Sequence, residues 1–338
     1  MTRGQFLTLV AVWTGLVLFL GLNAPLSEGL SIGGDDGFEL CKAQLLARQP
    51  EMAARLHNDQ PWLLTLVVAQ FFRLLGEDAA IPRLFSLGFT LTLVFACWHV
   101  MGKGCSMLEG ALFLCVLFTS REVPTLVTSA MLEPAAMSLG VLAVACGYSW
   151  RGPVGPWRGF LSGGLLALAA STKLTSLLIV PAWFTLLWLQ RQLTPLASVI
   201  CRAGFGFVAG MVLVSYISPT FSFESLWLSH WKAHQAISPQ GHGYGFRIED
   251  VFHEWTILVA VSLGVLKVWI NRSPAEHGTI FALTWLGSAF VMHLWHKPWW
   301  GYYSIHFHIP LAIVAAQGAG WVIRRAWQDI ALKPAPEA

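Results

Sequence analysis

The chain has 338 residues, of which 55% are hydrophobic and only 12% are charged, and its mean hydropathy is +0.60. In a soluble domain about a quarter of the residues are charged. This composition therefore excludes an ordinary soluble protein and indicates a polytopic membrane protein. The net charge of +3 comes from scattered Lys and Arg residues without a run or stripe, which excludes a nucleic-acid partner. The six cysteines show no metal-ligand spacing.

Apolar stretches bounded by charged residues, Gly or Pro predict about ten transmembrane helices, since a span needs roughly 20 apolar residues. The stretch after Arg3 is longer than the apolar core of a signal peptide, about 7–15 residues, so we expect it to be retained. The predicted fold is all-α and polytopic, with a single transmembrane domain at 1–330 and a short cytoplasmic tail at 331–338. The predicted helices cover residues 5–22, 83–101, 106–119, 124–147, 159–172, 174–189, 203–218, 254–270, 279–295 and 303–323.

Residues 61–75 are apolar but end at Arg73, which predicts a helix in the membrane interface rather than a full span. Basic residues in short loops mark the cytoplasmic side, and here they place the N-terminus inside. Two long loops, 23–82 and 219–253, then share the extracytoplasmic side with most of the acidic and histidine residues. This asymmetry favours chemistry on the extracytoplasmic side.

Carboxylates are concentrated in the first long loop, where Asp35, Asp36 and Glu39 follow Gly33 and Gly34. The residues after them mix apolar and polar side chains as a surface helix does, and Asp35 or Asp36 would stabilise its N-terminus. The alternative is functional. One carboxylate acts as general base on a hydroxyl, and its neighbour binds a metal or orients the acceptor.

Three ionisable residues lie at or near the predicted ends of transmembrane helices. Arg83 either extends its charge to the interface or binds a lipid phosphate, which a guanidinium does well. Glu133 falls inside a predicted span, where an acid is costly and by default functional. Lys173 is either a lysine that extends to the interface or the cation that neutralises a leaving lipid phosphate.

Histidines and aromatic residues supply further candidates. His230 and His234 are four residues apart on one helical face, a spacing that suits a metal ion but lacks an evident third ligand. Aromatic residues beside the last predicted helix are expected in an interfacial belt, whereas the histidines and the lysine among them are not. The remaining candidates are His57 and Asp59 in the first loop, and His293, His296, Lys297, Tyr302, Tyr303, His306 and His308 beside the last helix.

The order of these features resembles the GT-C glycosyltransferases, closest to the protein O-mannosyltransferase and aminoarabinose-transferase-like group that takes sugar from a polyprenyl phosphate. Asp36 stands where that group has Glu, and Gln60 stands in place of its first Pro. The matching residues are Asp35-Asp36, Asp59-Gln60-Pro61-Trp62-Leu63, Leu75-Gly76-Glu77, Arg83-Leu84, Glu133-Pro134, Thr172-Lys173 with Pro181, and Tyr302-Tyr303 with Pro310.

The resemblance implies a GT-C-type helical bundle that moves a sugar from a polyprenyl-phosphate donor to an acceptor hydroxyl of a lipid, glycan or protein. Asp35 or Asp36 would be the base, and inversion at the anomeric carbon is expected. The donor phosphate would be bound by Lys173, Arg83 and Lys297. The substrate pocket would contain His57, Asp59, Glu133, Tyr302, Tyr303 and His306, and a divalent cation (Mg, Mn or Zn) would use Asp36, His230 and His234.

Two other functions compete with this one. A transporter or flippase of lipid-linked sugars would also use charged groups near the interface, but it predicts ionisable residues near mid-span, and few are present. The second competing function is that of a non-catalytic membrane subunit with the same fold. The resemblance further implies a bacterial inner membrane with the site facing the periplasm.

Overall fold

The computed structural model describes most of the chain as helix. The described residues are 3–23, 35–55, 60–102, 105–120, 122–150, 152–218, 255–271, 276–296 and 299–331, with Leu26, Glu224, Leu228, Phe246, Glu249 and Val251.

The described residues include thirteen α-helices, which confirm the predicted all-α class. Within the described residues, four segments are long and apolar enough to cross a bilayer, and shorter apolar helices lie among them. The four are Ala80–Met101, Leu196–Ile217, His277–Trp295 and Gly301–Gln328. The chain is thus an integral membrane protein, while the number of about ten spans stays a prediction. The helices are α1 Arg3–Asn23, α2 Asp35–Arg48, α3 Leu63–Leu75, α4 Ala80–Met101, α5 Met107–Thr119, α6 Glu122–Val127, α7 Glu133–Gly147, α8 Pro156–Thr172, α9 Val180–Leu189, α10 Leu196–Ile217, α11 Trp255–Asn271, α12 His277–Trp295 and α13 Ile305–Ala331.

One predicted span, 124–147, is wrong as a continuous helix, because the structure divides it into α6 and α7. The Thr128 hydroxyl donates to the Pro124 carbonyl at 2.9 Å, and the Ser129 hydroxyl donates to the Leu126 carbonyl at 2.8 Å. These side-chain hydrogen bonds compete with those of a regular helix. Pro134 then occupies the first turn of α7, where its missing N–H costs nothing. The break places Glu133 at a helix start.

The structure separates two helical segments at Lys173, where the predicted spans 159–172 and 174–189 also meet. Lys173 ends α8 in an extended conformation with φ −156° and ψ 125°, and Leu174–Ile179 form a 3₁₀ helix before α9. Pro181 lies in the first turn of α9. The extended backbone at Lys173 turns its side chain away from the regular course of α8, toward the start of α7.

Helices α8 and α10 approach each other closely through glycines. A Cβ atom added to Gly163 would lie 1.7 Å from the carbonyl oxygen of Ala203, and one added to Gly206 would lie 1.9 Å from that of Phe160. No side chain fits at either position. Small residues therefore set the position of α8, whose C-terminal end carries Lys173.

Helices α2 and α3 form a hairpin at one end of the bundle, as expected for surface helices in the first loop. The Arg73 guanidinium donates to the carbonyls of Leu46 and Ala47 at 2.9 Å each, which satisfies the C-terminal end of α2. Arg48 makes a two-point ion pair with Glu77. The hydrogen bond from Arg48 lowers the pKa of the Glu77 carboxyl below the ordinary value of a glutamate. The hairpin is thereby fixed beside the start of α4.

Candidate active site

Asp36 is fully buried in the first turn of α2 and joins three parts of the chain. Its Oδ2 atom accepts a hydrogen bond from Arg83 in α4 at 2.6 Å, and its Oδ1 atom accepts one from the backbone N–H of Ala130 at 2.5 Å. Arg83 also donates to the carbonyl of Leu26 at 2.8 Å. A buried carboxylate is tolerated because charge-assisted hydrogen bonds compensate for its lost hydration.

This arrangement fixes the start of α2 against α4 and against the loop between α6 and α7. Asp35, the preceding residue, is only partly buried. The two neighbouring aspartates therefore differ in environment: Asp36 has both oxygens engaged within the protein, and Asp35 is accessible. Such a difference separates a structural carboxylate from one that is available for chemistry.

Glu133 and Lys173 form a second buried ion pair. The Lys173 ammonium at the end of α8 donates to Glu133 Oε1 at the start of α7, and both side chains are at least 96% buried. The other carboxylate oxygen, Glu133 Oε2, makes no hydrogen bond to the residues that the structure describes. A buried carboxylate oxygen that lacks a donor is costly, so it marks a place where a polar partner would bind favourably.

Two tyrosines surround the ammonium of Lys173. Its Nζ atom lies 5.1 Å from the centre of the Tyr302 ring and 5.2 Å from that of Tyr303, and the two rings are nearly perpendicular, at 81°. Both distances allow cation–π attraction. The tyrosines belong to the 3₁₀ helix Gly301–Ser304, which directly precedes α13. Lys173 is therefore held by one carboxylate and two aromatic rings.

Tyr302 also links Lys173 to Asp35. The Tyr302 side chain lies near the Asp35 carboxylate, and the charges of Asp35 and Glu133 both act on Tyr302. Helix α2, helix α7, the end of α8 and the 3₁₀ helix before α13 thus bring an accessible carboxylate, a buried ion pair and a tyrosine to one place.

A stack of buried histidines lies behind Tyr303. The rings of His293 and His306 are nearly parallel, with centres 5.2 Å apart and a 2.9 Å hydrogen bond between Nε2 of His293 and Nδ1 of His306. His306 stacks on Tyr303 with ring centres 5.7 Å apart. On the same helix, His308 is hydrogen-bonded to Ser120 at 2.9 Å. These contacts help to fix Tyr303 in place.

The predicted site residues fall into three groups. Asp35, Glu133, Lys173, Tyr302 and Tyr303 meet, with His306 behind them. Asp36 and Arg83 instead pair with each other. The others lie outside the described residues: His57, Asp59, His230, His234 and Lys297.

The predicted cation site depends mostly on residues outside the described part of the chain. Asp36, its third predicted ligand, has one oxygen on Arg83 and the other on the Ala130 N–H, which leaves the carboxylate poorly suited to a metal. Within the described residues, no group of three or more His, Cys, Asp or Glu side chains has metal-binding geometry.

Sequence reasoning did not find the backbone partners of the site. The Ala130 N–H and the Leu26 carbonyl carry no side-chain signal, so only the folded chain reveals them. The sequence shows His293 as one of several histidines near the last helix but indicates no role for it. Its distance from His306 along the chain, with the end of α12 between them, could have indicated a pair across a turn.

Two solved structures resemble this arrangement of helices. ArnT from Cupriavidus metallidurans bound to undecaprenyl phosphate aligns with a TM-score of 0.69 and 16% identity over 97% of this chain. The same protein in the apo state aligns with a TM-score of 0.64 and 14% identity over 96% of this chain. The fold is that of ArnT. The predicted GT-C-type bundle is confirmed.

The likeness to ArnT concerns the fold and not the sequence. This chain spans 62% and 61% of the two ArnT chains, about three fifths of their length. No family model and no curated protein matches the sequence. At such low identity, the activity has to be argued from the side chains that the ArnT fold brings together here.

Proposed function

We propose that this protein is a glycosyltransferase that moves a sugar from a polyprenyl-phosphate donor to an acceptor hydroxyl. The observation that carries the proposal is the contact of accessible Asp35 with Tyr302, whose ring covers Lys173. A base and a cation are thus separated by one side chain, as a displacement at carbon with a phosphate leaving group requires. The shared fold supports this, because ArnT was solved with undecaprenyl phosphate.

Asp35 is the general base in this proposal. Its carboxylate accepts the proton of the acceptor hydroxyl as that oxygen attacks the anomeric carbon of the donor. Asp36 is unsuited to the role, since Arg83 and the Ala130 N–H occupy its oxygens in a buried position. In this proposal the neighbouring Tyr302 hydroxyl orients the Asp35 carboxylate.

Lys173 is the cation for the donor phosphate. An ammonium group has three N–H donors, so the contact with Glu133 is compatible with a second contact to a phosphate oxygen. Burial strengthens the attraction because the surroundings are poorly polarisable. Glu133 and the two tyrosine rings keep the ammonium in place before the substrate arrives.

The reaction is a single displacement. The acceptor oxygen forms a bond to the anomeric carbon, and the bond from that carbon to the phosphate oxygen breaks with its electron pair remaining on the phosphate. The acceptor proton passes to Asp35, so the protonation of one carboxylate balances the extra charge of the leaving polyprenyl phosphate. Attack from the face opposite the leaving group inverts the anomeric configuration.

An apolar groove between α3 and α4 is suited to the polyprenyl chain. It has a volume of about 400 Å³ and is lined by Phe71, Leu75, Leu84, Phe85 and Phe89, among others. Phe85 also lines a second crevice with Ala130, whose N–H contacts Asp36. A chain lying in the groove would therefore reach the neighbourhood of α2 from the bilayer.

We propose that the site lies on the extracytoplasmic side, which the basic residues of the short loops support, and that the membrane is a bacterial inner membrane, which the likeness to ArnT supports. The acceptor is a hydroxyl of a glycan, lipid or protein. In this proposal Lys297 is a further phosphate ligand, His57 and Asp59 are pocket residues, and His230 and His234 would hold a divalent cation. The mechanism above uses none of these groups.

The test is donor turnover by membranes that contain the full chain. Radiolabelled undecaprenyl-phosphate mannose, glucose, galactose and 4-amino-4-deoxyarabinose are supplied, and sugar released to water or to an acceptor is counted. We expect turnover of one donor, and its loss in Asp35→Asn. Equal turnover in Asp35→Asn would move the base elsewhere.

Two control outcomes separate the competing functions. Movement of the labelled lipid across vesicles without sugar release would identify a flippase. Neither turnover nor movement in folded protein, shown by an unchanged thermal midpoint, would identify a non-catalytic subunit. The glutamate that pairs with Arg48 supplies a matched carboxylate control, since Glu77→Gln should leave turnover unchanged.

A further inference from the structure

Trp300 stands at the outer edge of the candidate site. It immediately precedes the 3₁₀ helix that carries Tyr302 and Tyr303, and 39% of its surface is exposed. Its ring is parallel to that of Tyr302 within 8°, with ring centres 6.5 Å apart. Tyr302 in turn contacts Asp35. A flat, partly exposed indole is therefore held in a fixed orientation one residue layer from the proposed base.

The adjacent tryptophan has a different environment, which argues against a general aromatic belt as the explanation. Trp299 is 6% exposed and packs against His293, Tyr303 and Phe307 inside the bundle. Trp295, at the end of α12, is 82% exposed and has the surroundings expected of an interfacial tryptophan. Trp300 is intermediate, because one part of it faces Tyr302 and another part is open.

A pyranose ring complements this surface. The face of a sugar that carries axial C–H groups is apolar and packs on an indole, while its hydroxyls need hydrogen-bond acceptors. The buried Oε2 atom of Glu133, without a donor among the described residues, supplies such an acceptor on the side of Tyr302 where Lys173 lies. An apolar indole surface and a buried carboxylate oxygen near the same tyrosine complement the apolar face and the hydroxyls of a sugar.

We propose that Trp300 is the stacking platform for a pyranose ring at this site. The proposal rests on the function proposed above and adds the residue that recognises the sugar. The ring comes either from the donor or from a saccharide acceptor, and the chemistry of stacking is the same for both. A lipid or protein hydroxyl that is not carried by a sugar would not use this platform.

The test compares four variants of the full chain in nanodiscs with whichever undecaprenyl-phosphate sugar the wild type turns over. Trp300→Leu keeps apolar bulk without a flat ring, Trp300→Phe keeps the ring, Trp300→Ala removes both, and Trp295→Leu is the matched interfacial control. Transfer to water and transfer to an octyl glycoside are measured. We expect Trp300→Leu and Trp300→Ala to raise one KM at least 10-fold, Trp300→Phe to remain within 3-fold of wild type, and Trp295→Leu to have no effect.

The KM that changes identifies the source of the ring. A raised KM for the donor in both reactions places the donor sugar on Trp300, and a raised KM for the octyl glycoside alone places the acceptor there. Unchanged KM values in Trp300→Leu, or an equal change in Trp295→Leu, would overturn the proposal. If Trp300→Ala does not fold, the comparison of Trp300→Leu with Trp300→Phe still tests whether a flat ring is needed.

A binding measurement separates this proposal from the proposed function. Saturation-transfer-difference NMR with methyl α-mannopyranoside and methyl α-glucopyranoside reports whether sugar C–H protons contact the protein. A saturation-transfer signal that is at least 5-fold weaker in Trp300→Leu than in wild type would support the stacking platform. This holds even if no donor is turned over, a result that would count only against the proposed glycosyltransferase activity. Equal signals in both proteins would overturn the platform.

Discussion

Lys173 and Glu133 are 40 residues apart in the sequence and form a buried ion pair at the centre of the site. One residue ends α8 and the other begins α7, so the pair depends on the packing of these two helices. Burying two charges is costly, and an ion pair of this kind offsets the cost without adding a large net stability. Its position beside Tyr302 agrees with the phosphate-binding role proposed for Lys173.

The first prediction concerns the stability of this pair. Lys173→Met or Glu133→Gln alone should lower the free energy of unfolding by about 3–5 kcal/mol, because the remaining partner is left buried without its counter-charge. The double variant should recover most of the loss. Thermal or denaturant unfolding in detergent micelles measures this. Arg48→Met is the control, since its pair with Glu77 is exposed and its removal should cost much less. A double variant as unstable as the single ones would contradict the pair.

The second prediction separates the two aspartates. Asp35→Asn should abolish sugar transfer while leaving the thermal midpoint unchanged, since Asp35 is accessible. Asp36→Asn should lower the midpoint, because it weakens the buried contacts with Arg83 and Ala130. Both midpoints and the initial transfer rates are measured on the same preparations. Stable, inactive Asp36→Asn together with active Asp35→Asn would reverse the assignment.

Arg83 provides a third prediction. Its guanidinium contacts Asp36 and the Leu26 carbonyl with separate nitrogens, an arrangement that a lysine cannot reproduce. We therefore expect Arg83→Lys to be destabilised nearly as much as Arg83→Gln, with both seen as lower thermal midpoints. The KM for the donor should stay unchanged in the protein that folds. A raised KM without a change of midpoint would return Arg83 to the phosphate site.

The fourth prediction concerns Tyr302. Tyr302→Phe removes the hydroxyl near Asp35 but keeps the ring near Lys173. If the hydroxyl donates to the Asp35 carboxylate during the reaction, as proposed, kcat should fall about 10- to 100-fold, the value of one hydrogen bond to a charged group. The KM for the donor should change little. Tyr302→Leu should also raise that KM because the cation–π contact is lost. Equal kinetic constants for Tyr302→Phe and wild type would exclude the hydroxyl from the reaction.

The fifth prediction tests the glycine contacts that position α8. Gly163→Ala should destabilise the protein, because its Cβ would overlap the Ala203 carbonyl oxygen at 1.7 Å and backbone has to move. Gly204→Ala on α10 is the matched control: no atom lies within 4 Å of its Cβ, so helix propensity predicts a neutral or slightly stabilising change. Thermal midpoints of the two variants are compared. Similar midpoints would show that α8 and α10 are not closely packed.

Parts of the site could be predicted from the sequence because charges in an apolar chain are conspicuous. Asp35, Glu133 and Lys173 stand out between apolar stretches, and the order of such residues resembled one group of membrane enzymes. Their grouping could not be predicted, since it depends on the break between α6 and α7 and on the extended backbone of Lys173. Hydropathy predicts one continuous span at 124–147, and it separates the spans on either side of Lys173 without indicating the extended backbone there.

The sequence by itself determined that this protein is helical and lies in a membrane, because the burial of apolar side chains depends on composition and period. It also determined which residues could carry charge at the site. Only the tertiary structure decided that Asp36 pairs with Arg83 while Asp35 contacts Tyr302. Neighbouring residues of one kind look alike in a sequence, and they acquire different roles when packing surrounds one carboxylate with donors and leaves the other accessible.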